Sequence, residues 1–262
     1  MKEIVDLIKE KDVIVFCGAG LSSESGIPTF RGREGLWEKY DPQIYVTTGG
    51  ISSLFVYETH KLKNFIIDFY TTILKAKPNY SHFALKKLED RGYLIGIITQ
   101  NIDDFHHQVG SKEVAEVHGN AYKFRCKSCQ IEEKKVKQEV KGFIEELKRE
   151  DNLKKIRKKI LKFLGRCPKC KRRKEVGVVL FGDPLPEKEL EKTYYYLNKA
   201  KTILCVGTSG LVYPAASFPL YAKERGAKII NVNISESNLD NFCDFLVREK
   251  SSNFFKKLLS NL

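Results

Sequence analysis

The sequence predicts an α/β protein: a parallel sheet with helices on both faces, interrupted by a smaller helical lobe. Three observations predict it. Short, β-branched, nearly unbroken apolar runs recur along the chain, as strands covered on both faces require. Stretches of helical periodicity separate them, and strand alternating with helix implies parallel pairing through right-handed crossovers. One segment, residues 122–175, breaks the alternation and is bounded by two Cys-x-x-Cys pairs.

Strands are expected at residues 12–17, 94–99, 176–181, 202–206 and 227–232, and helices at 3–10, 53–75, 81–90, 187–200, 215–225 and 252–260. Inside the interrupting segment, Val136, Val140, Phe143 and Leu147 recur at helical spacing, as do Ile156, Ile160 and Leu164. Residues 1–30, 78–121 and 176–262 are therefore expected to form the sheet domain. Residues 31–77, a helical module, and 122–175, the cysteine-bounded lobe, would form a smaller one.

With 262 residues, 42% of them hydrophobic, the chain can bury a sizeable core. No stretch approaches the ~20 uninterrupted apolar residues of a membrane helix, and the first residues carry no charged-then-apolar leader. The expectation is a cytoplasmic protein with no membrane partner. Aromatic residues at 11% exclude an extended disordered chain. The net charge of +13 is local: residues 123–174 hold 21 basic and 7 acidic side chains, against 25 and 26 elsewhere. A basic module on a near-neutral body suits an anionic partner such as nucleic acid or an acidic protein; a well-solvated helical face is the alternative.

Seven cysteines and no leader argue for a reducing compartment and against a disulfide framework. Cys17, Cys205 and Cys243 sit in apolar runs and read as packing residues. Cys126/Cys129 and Cys167/Cys170 each place two thiolates on one turn, and two such turns complete a tetrahedral Zn²⁺ site with no open position. Such a metal folds the lobe and does not catalyse.

Directly after the first strand comes Gly18-Ala19-Gly20-Leu21-Ser22. Glycines there let the backbone turn tightly and approach a pyrophosphate near a helix N-terminus, in the manner of a Rossmann-like dinucleotide site. The usual third glycine is replaced by Ser23. Alone, Gly-x-Gly does not separate this from a plain strand-to-helix turn.

The longer run, Gly18 to Gly32, reads Gly-Ala-Gly-Leu-Ser-Ser-Glu-Ser-Gly-Ile-Pro-Thr-Phe-Arg-Gly and resembles the sirtuin family signature. Other family blocks follow in order: Thr99-Gln100-Asn101-Ile102-Asp103, Val117-His118-Gly119, the two cysteine pairs, and Val178-Val179-Leu180-Phe181-Gly182-Asp183-Pro184-Leu185-Pro186. Gly207-Thr208-Ser209 and Ile230-Asn231-Val232-Asn233 complete the set. The similarity runs from about Ile4 to the C-terminal helix.

The resemblance implies an NAD-dependent protein-lysine deacylase, a deacetylase first, with NAD and Zn²⁺ as cofactors and acylated-lysine proteins as substrates. Nicotinamide would leave as the acyl oxygen attacks the ribose, and free lysine and O-acyl-ADP-ribose would result. A protein mono-ADP-ribosyltransferase and a non-enzymatic NAD- and zinc-binding module are the alternatives. Gly18, Ala19, Gly20 and Ser22 would hold the cofactor, with Phe30 and Arg31 closing over it. Gln100, Asn101 and Asp103 would line its nicotinamide side, and Gly207, Thr208, Ser209, Asn231 and Asn233 its ribose and adenine side. The capping of a helix by Asp103 or Asp104 is the structural alternative for that loop.

Of five histidines, His60 and His82 lie on expected helices and read as structural, and His106 and His107 as solvent-facing or capping. His118, followed by Gly119, matches the family's His-Gly motif and is the expected general base. Val179, Phe181, Gly182 and Leu185 resemble the family's substrate-binding strand, with backbone pairing to the peptide. Two departures stand out. Thr29 replaces the signature's Asp, and with Gly35-Leu36-Trp37 it resembles a branch that includes desuccinylases. Those enzymes use a Tyr and an Arg three residues later, yet no Arg lies between Arg33 and Arg91 here. A guanidinium fork is poorly replaced by lysine, so neutral acyl groups are expected. The second departure is the basic insertion, expected to meet nucleic acid or nucleic-acid-bound protein with steep salt dependence.

Overall fold

The computed structural model describes residues 1–29 and 36–262, with only the backbone of Leu36 and Trp37. In chain order its elements are α1 (Lys2–Lys9), β1 (Val13–Cys17), α2 (Ala19–Ser23), α3 (Leu36–Lys39), α4 (Pro42–Tyr45), α5 (Thr48–Tyr57), α6 (Thr59–Lys75) and α7 (Tyr80–Asp90). Then come β2 (Leu94–Thr99), α8 (Phe105–Gln108), β3 (Val114–Glu116), β4 (Gly119–Arg125), β5 (Glu132–Lys134), α9 (Lys137–Lys148), α10 (Leu153–Leu164) and β6 (Glu175–Val178). The chain ends with α11 (Glu187–Lys199), β7 (Thr202–Val206), α12 (Phe218–Lys223), β8 (Lys228–Val232), β9 (Phe245–Val247) and α13 (Ser251–Asn261). Two compact units result: Met1–Ser25, Lys77–His118 and Leu185–Leu262 in one, Gly26–Ala76 and Gly119–Pro184 in the other. Among the described residues, no helix is long and apolar enough to cross a membrane.

The first unit is a six-stranded parallel sheet in the order β3-β2-β1-β7-β8-β9. Its central strand, Val-Ile-Val-Phe-Cys, is wholly buried because both faces are covered. Val13, Val15 and Cys17 face a core closed by Ile4, Val5 and Ile8 of α1, Leu85 and Leu88 of α7, and Phe254 and Phe255 of α13. Ile14 and Phe16 face the opposite core, closed by Tyr196 and Leu197 of α11 and Phe218 and Ala222 of α12. Period-two alternation on a two-sided strand thus sorts one pentapeptide between two helical layers. Each fully buried large side chain contributes roughly 1.5–3 kcal/mol.

The second unit joins helices to a three-stranded antiparallel sheet, β5-β4-β6. Its core combines Leu54, Leu62, Phe65 and Tyr70 with Val140, Phe143 and Ile144 of α9 and Ile156 and Ile160 of α10. The Phe143 and Phe163 rings stack 3.8 Å apart, so both helices read from periodicity in the basic segment pack as expected.

Two expectations are corrected. The run 176–181 does not join the parallel sheet: Glu175–Val178 pairs antiparallel with β4, and an apolar run alone cannot tell which sheet it enters. The single helix read over 53–75 is two. Thr47 caps an earlier start by accepting from the Gly50 amide at 3.1 Å, and Glu58 leaves helical geometry between α5 and α6. The short elements β3, β9 and α8 have too few residues for periodicity to register.

Candidate active site

One register places the site loops of the first unit. Cys17 pairs with Thr99 on one side and Val206 on the other, and Val206 pairs with Val232. Four strands therefore end level, and the residues that follow them (Gly18, Gln100, Gly207 and Asn233) leave the carboxyl edge together. Parallel sheets place ligand chemistry at that edge.

Gly18 and Gly20 pack directly on the loop after β7. A Cβ on Gly20 would lie 2.7 Å from the Gly207 Cα, and Gly207 itself has φ +60°. The amides of Gly18 and Gly20 donate to the carbonyls of Val206 and Gly207 at 3.1 and 2.8 Å. The glycines are thus accounted for by close backbone approach, and these two amides already have protein acceptors. Ala19 opens α2 half-buried.

Beneath this loop lies a buried polar cluster. Ser22 donates to Asp103 Oδ2 at 2.6 Å, and Asn101 Nδ2 donates to Ser22 Oγ and to the Gly18 carbonyl, each at 3.1 Å. Asp103 Oδ1 accepts from the Phe105 amide at 3.0 Å. Burial pushes the Asp103 carboxyl up to about 6, against the opposing pull of Ser22 and that amide. Asp104 is the α8 N-cap by position but makes no side-chain cap hydrogen bond; the capping acceptor is Asp103.

His118 is half-buried, and its Nδ1 lies 3.2 Å from the Gln100 carbonyl oxygen. A carbonyl only accepts, so Nδ1 carries the proton and Nε2 keeps a free lone pair. Burial lowers the imidazole pKa, with the carbonyl opposing, so the ring is neutral at pH 7 and able to act as a base. The next residue must be glycine: Gly119 has φ +78°, and a Cβ there would sit 1.8 Å from the Gly177 carbonyl oxygen.

Gln100 and Thr208 link two of the level loops. Gln100 Nε2 donates to Thr208 Oγ1 at 2.9 Å, and Asn233 Nδ2 donates to the Thr208 carbonyl at 2.9 Å. Ser209 is half-buried, its carbonyl accepting from the Asn238 amide. Asn231 is set apart from them. It is wholly buried within β8, donating to Ser237 Oγ and Asp240 Oδ1 at 2.9 and 2.8 Å. Phe30 and Arg31 lie outside the described residues.

Two more histidines adjoin the cluster, His82 in the structural role expected of it and His106 against expectation. His106 is not solvent-facing: it is buried with Nε2 3.4 Å from Cys17 Sγ, and its ring centroid is 5.2 Å from that of His82. His82 completes a capping box with Asn79, a spacing visible in Asn79-x-x-His82, and approaches Ser22 Oγ at 3.5 Å. Burial depresses both imidazoles, His106 to about 4 and His82 further. His107 is half-exposed and pairs with Glu116 at 3.4 Å.

In the second unit, the Sγ atoms of Cys126, Cys129, Cys167 and Cys170 all lie within 4.8 Å of one another. Both pairs fold the same turn. Gln130 and Lys171 donate to the carbonyls of Cys126 and Cys167, each with positive φ, and the Cys126 and Cys167 amides donate to Ile131 and Arg172. Four convergent soft donors fit a structural Zn²⁺. Of the residues resembling a peptide-binding strand, Val179 lies past the end of β6. Phe181 is 57% exposed, and its amide donates to the Val46 carbonyl at 2.7 Å. Gly182 is exposed with φ +89°. Leu185, in the first unit, packs partly on the core beneath α11.

Comparison with known proteins agrees with this fold. The Sir2 family model matches residues 18–214. An NAD-dependent protein deacylase of Pyrococcus abyssi is 39% identical over 97% of this chain and 94% of its own length, and one of Thermococcus kodakarensis 41% identical over 97% and 91%. A solved structure of Sir2 with a p53 peptide and NAD⁺ is 29% identical, with a TM-score of 0.77 over 99% of this chain and 97% of that one. From the strand-end loops to the paired cysteine turns, the chain belongs to the Sir2 family.

Proposed function

We propose that the protein is an NAD-dependent protein-lysine deacylase in which His118 is the general base. The observation that carries the reading is the fixed tautomer of His118, Nδ1 on the Gln100 carbonyl and Nε2 free, on the loop edge that also bears Ser22, Asn101 and Asp103. Bound NAD⁺ supplies an electrophilic ribose carbon with nicotinamide as leaving group. His118 Nε2 takes a proton from a substrate hydroxyl. Asn101, held by Gly18 and Ser22, and Asp103, held by Ser22, present a preorganised polar wall at low reorganisation cost. Cys126, Cys129, Cys167 and Cys170 would hold Zn²⁺ with no open position, a folding role. Nicotinamide release that requires an acetylated peptide supports this reading, and release without one would favour simple NAD⁺ cleavage or ADP-ribosyl transfer.

The preferred acyl group is neutral, acetyl or longer. On α6, Tyr70 is buried and donates to the Ala121 carbonyl at 3.0 Å, and three residues later stands buried Ile73, not an arginine. Faster turnover of succinyl- than acetyl-lysine peptides would overturn this. The 123–174 segment, with its threefold excess of basic residues, serves an anionic partner: nucleic acid or nucleic-acid-bound protein. The odd set of seven cysteines suits a reducing, cytoplasmic setting.

A further inference from the structure

We propose that the outward face of α10, flanked by Tyr57, is a docking surface for single-stranded nucleic acid. The proposal rests on the reading of residues 123–174 as an anion-binding segment and narrows it to one face and one partner. Lys154, Lys155, Lys158 and Lys162 are all exposed, and at ~100° per residue they share one arc of the helix about 12 Å long. The opposite arc, with Ile156 and Ile160, is buried in the unit's core, so the lysines can only face outward.

The acidic residues nearest this row already pair with other cations. Glu145 pairs with Lys148, Glu146 with Lys159, and Asp151 with Lys63, whereas none of the four lysines has an ion pair among the described residues. Four cations along one helix face repel one another and gain when phosphates approach.

The aromatic neighbour is the second, independent observation. Tyr57 is 81% exposed at the end of α5. Arg157, on the edge of the lysine arc, donates to the Val56 carbonyl at 2.5 Å and to Thr59 Oγ1 at 2.8 Å, on either side of Tyr57 in the chain, and so ties the α5–α6 junction that carries Tyr57 to α10. An exposed ring next to a cationic track is the arrangement that stacks an unpaired base while lysines hold the backbone. A duplex, whose bases are already stacked, makes no use of the ring.

Fluorescence anisotropy of a labelled 20-nucleotide oligo-dT against the full-length protein, from 50 to 300 mM salt, tests the surface. The expected result is binding that weakens steeply with salt. The triple variant K154Q/K158Q/K162Q should bind at least tenfold more weakly at 50 mM salt, with the log–log salt slope reduced by about 2 (~0.7 per phosphate contact). Y57A should weaken oligo-dT roughly 5- to 100-fold and leave a duplex of equal length unchanged. The control K2Q/K87Q/K188Q, with the same charge loss in the first unit, should bind as the parent does. Binding unaffected by the triple variant would overturn this surface and leave the segment reading intact. No binding at 50 mM salt, or capture by anionic phospholipid vesicles but not by oligo-dT, would overturn both. Acetyl-peptide turnover should be the same in all these variants, so failure here is separable from failure of the deacylase reading.

Discussion

The Gln100 carbonyl oxygen lies 3.2 Å from His118 Nδ1, so the residue just past the end of one strand sets the tautomer of the imidazole that follows the next. Burial lowers the His118 pKa below its ordinary 6.5. The acid limb of a kcat/KM profile should therefore fall below pH 6.5, with activity flat above it to pH 8. Replacing His118 with Ala should lower kcat at least ~100-fold, the usual weight of a general base, while the melting temperature moves little. An acid limb above pH 7 would contradict the assignment.

Ser22 is the only side-chain donor to Asp103 among the described residues, and its hydrogen bond opposes the burial that raises the carboxyl. In Ser22→Ala that opposition is lost and the Asp103 pKa should climb beyond its present value of about 6. Carbon-detected NMR titration of the carboxyl reads the shift directly. Stability should fall by about 1–3 kcal/mol, the cost of stranding a buried polar group. An unchanged titration would mean that the 2.6 Å contact is electrostatically idle.

His82 and His106 are buried and neutral, with pKa values depressed below 6.5. For depressed bases the stabilisation is complete above 6.5 and is lost as pH falls, because the unfolded chain takes up protons that the folded one refuses. Asp103 runs the other way: its raised pKa favours folding below 3.8 and loses that contribution as pH rises through about 6. With His118, three depressed imidazoles against one raised carboxyl leave a net loss of stability on acidification from pH 6.5. Urea unfolding at pH 7, 6 and 5 should show it. His82→Gln keeps a capping-box partner at N3 and should flatten the slope by up to ~1.4 kcal/mol per pH unit.

The paired cysteine turns predict a metal-dependent lobe. Cys167→Ser, or a strong chelator, should release bound zinc and expose residues 122–175 to protease. The first unit, whose sheet and cores contain none of these cysteines, should keep its β-strand signature in circular dichroism. Unchanged protease resistance after complete zinc loss would assign the fold of this lobe to its apolar core alone.

Much of this was legible in sequence because its causes are local. The strand at 13–17 needs only five apolar residues, and the cysteine turns need only their spacing. Gly119 was legible as a motif, but its reason, a carbonyl 1.8 Å from where a Cβ would stand, is a long-range contact with Gly177. The inward turn of His106 was not legible either, since a four-residue helix has no period to read. The same holds for β6, whose apolar pattern fits either sheet until its partner is known.

The common termination height of the central strands has a consequence for how variation can enter this protein. Because Cys17 is matched to a neighbour on each side, inserting or deleting one residue within β1 would slide Gly18 out of step with Gln100 and Gly207 at once. The same change would also exchange the two helical layers that Ile14 and Val15 serve. Length changes should thus be confined to the opposite, amino-terminal rim of the sheet, where a turn such as Lys11–Asp12 can absorb them without disturbing the chemistry.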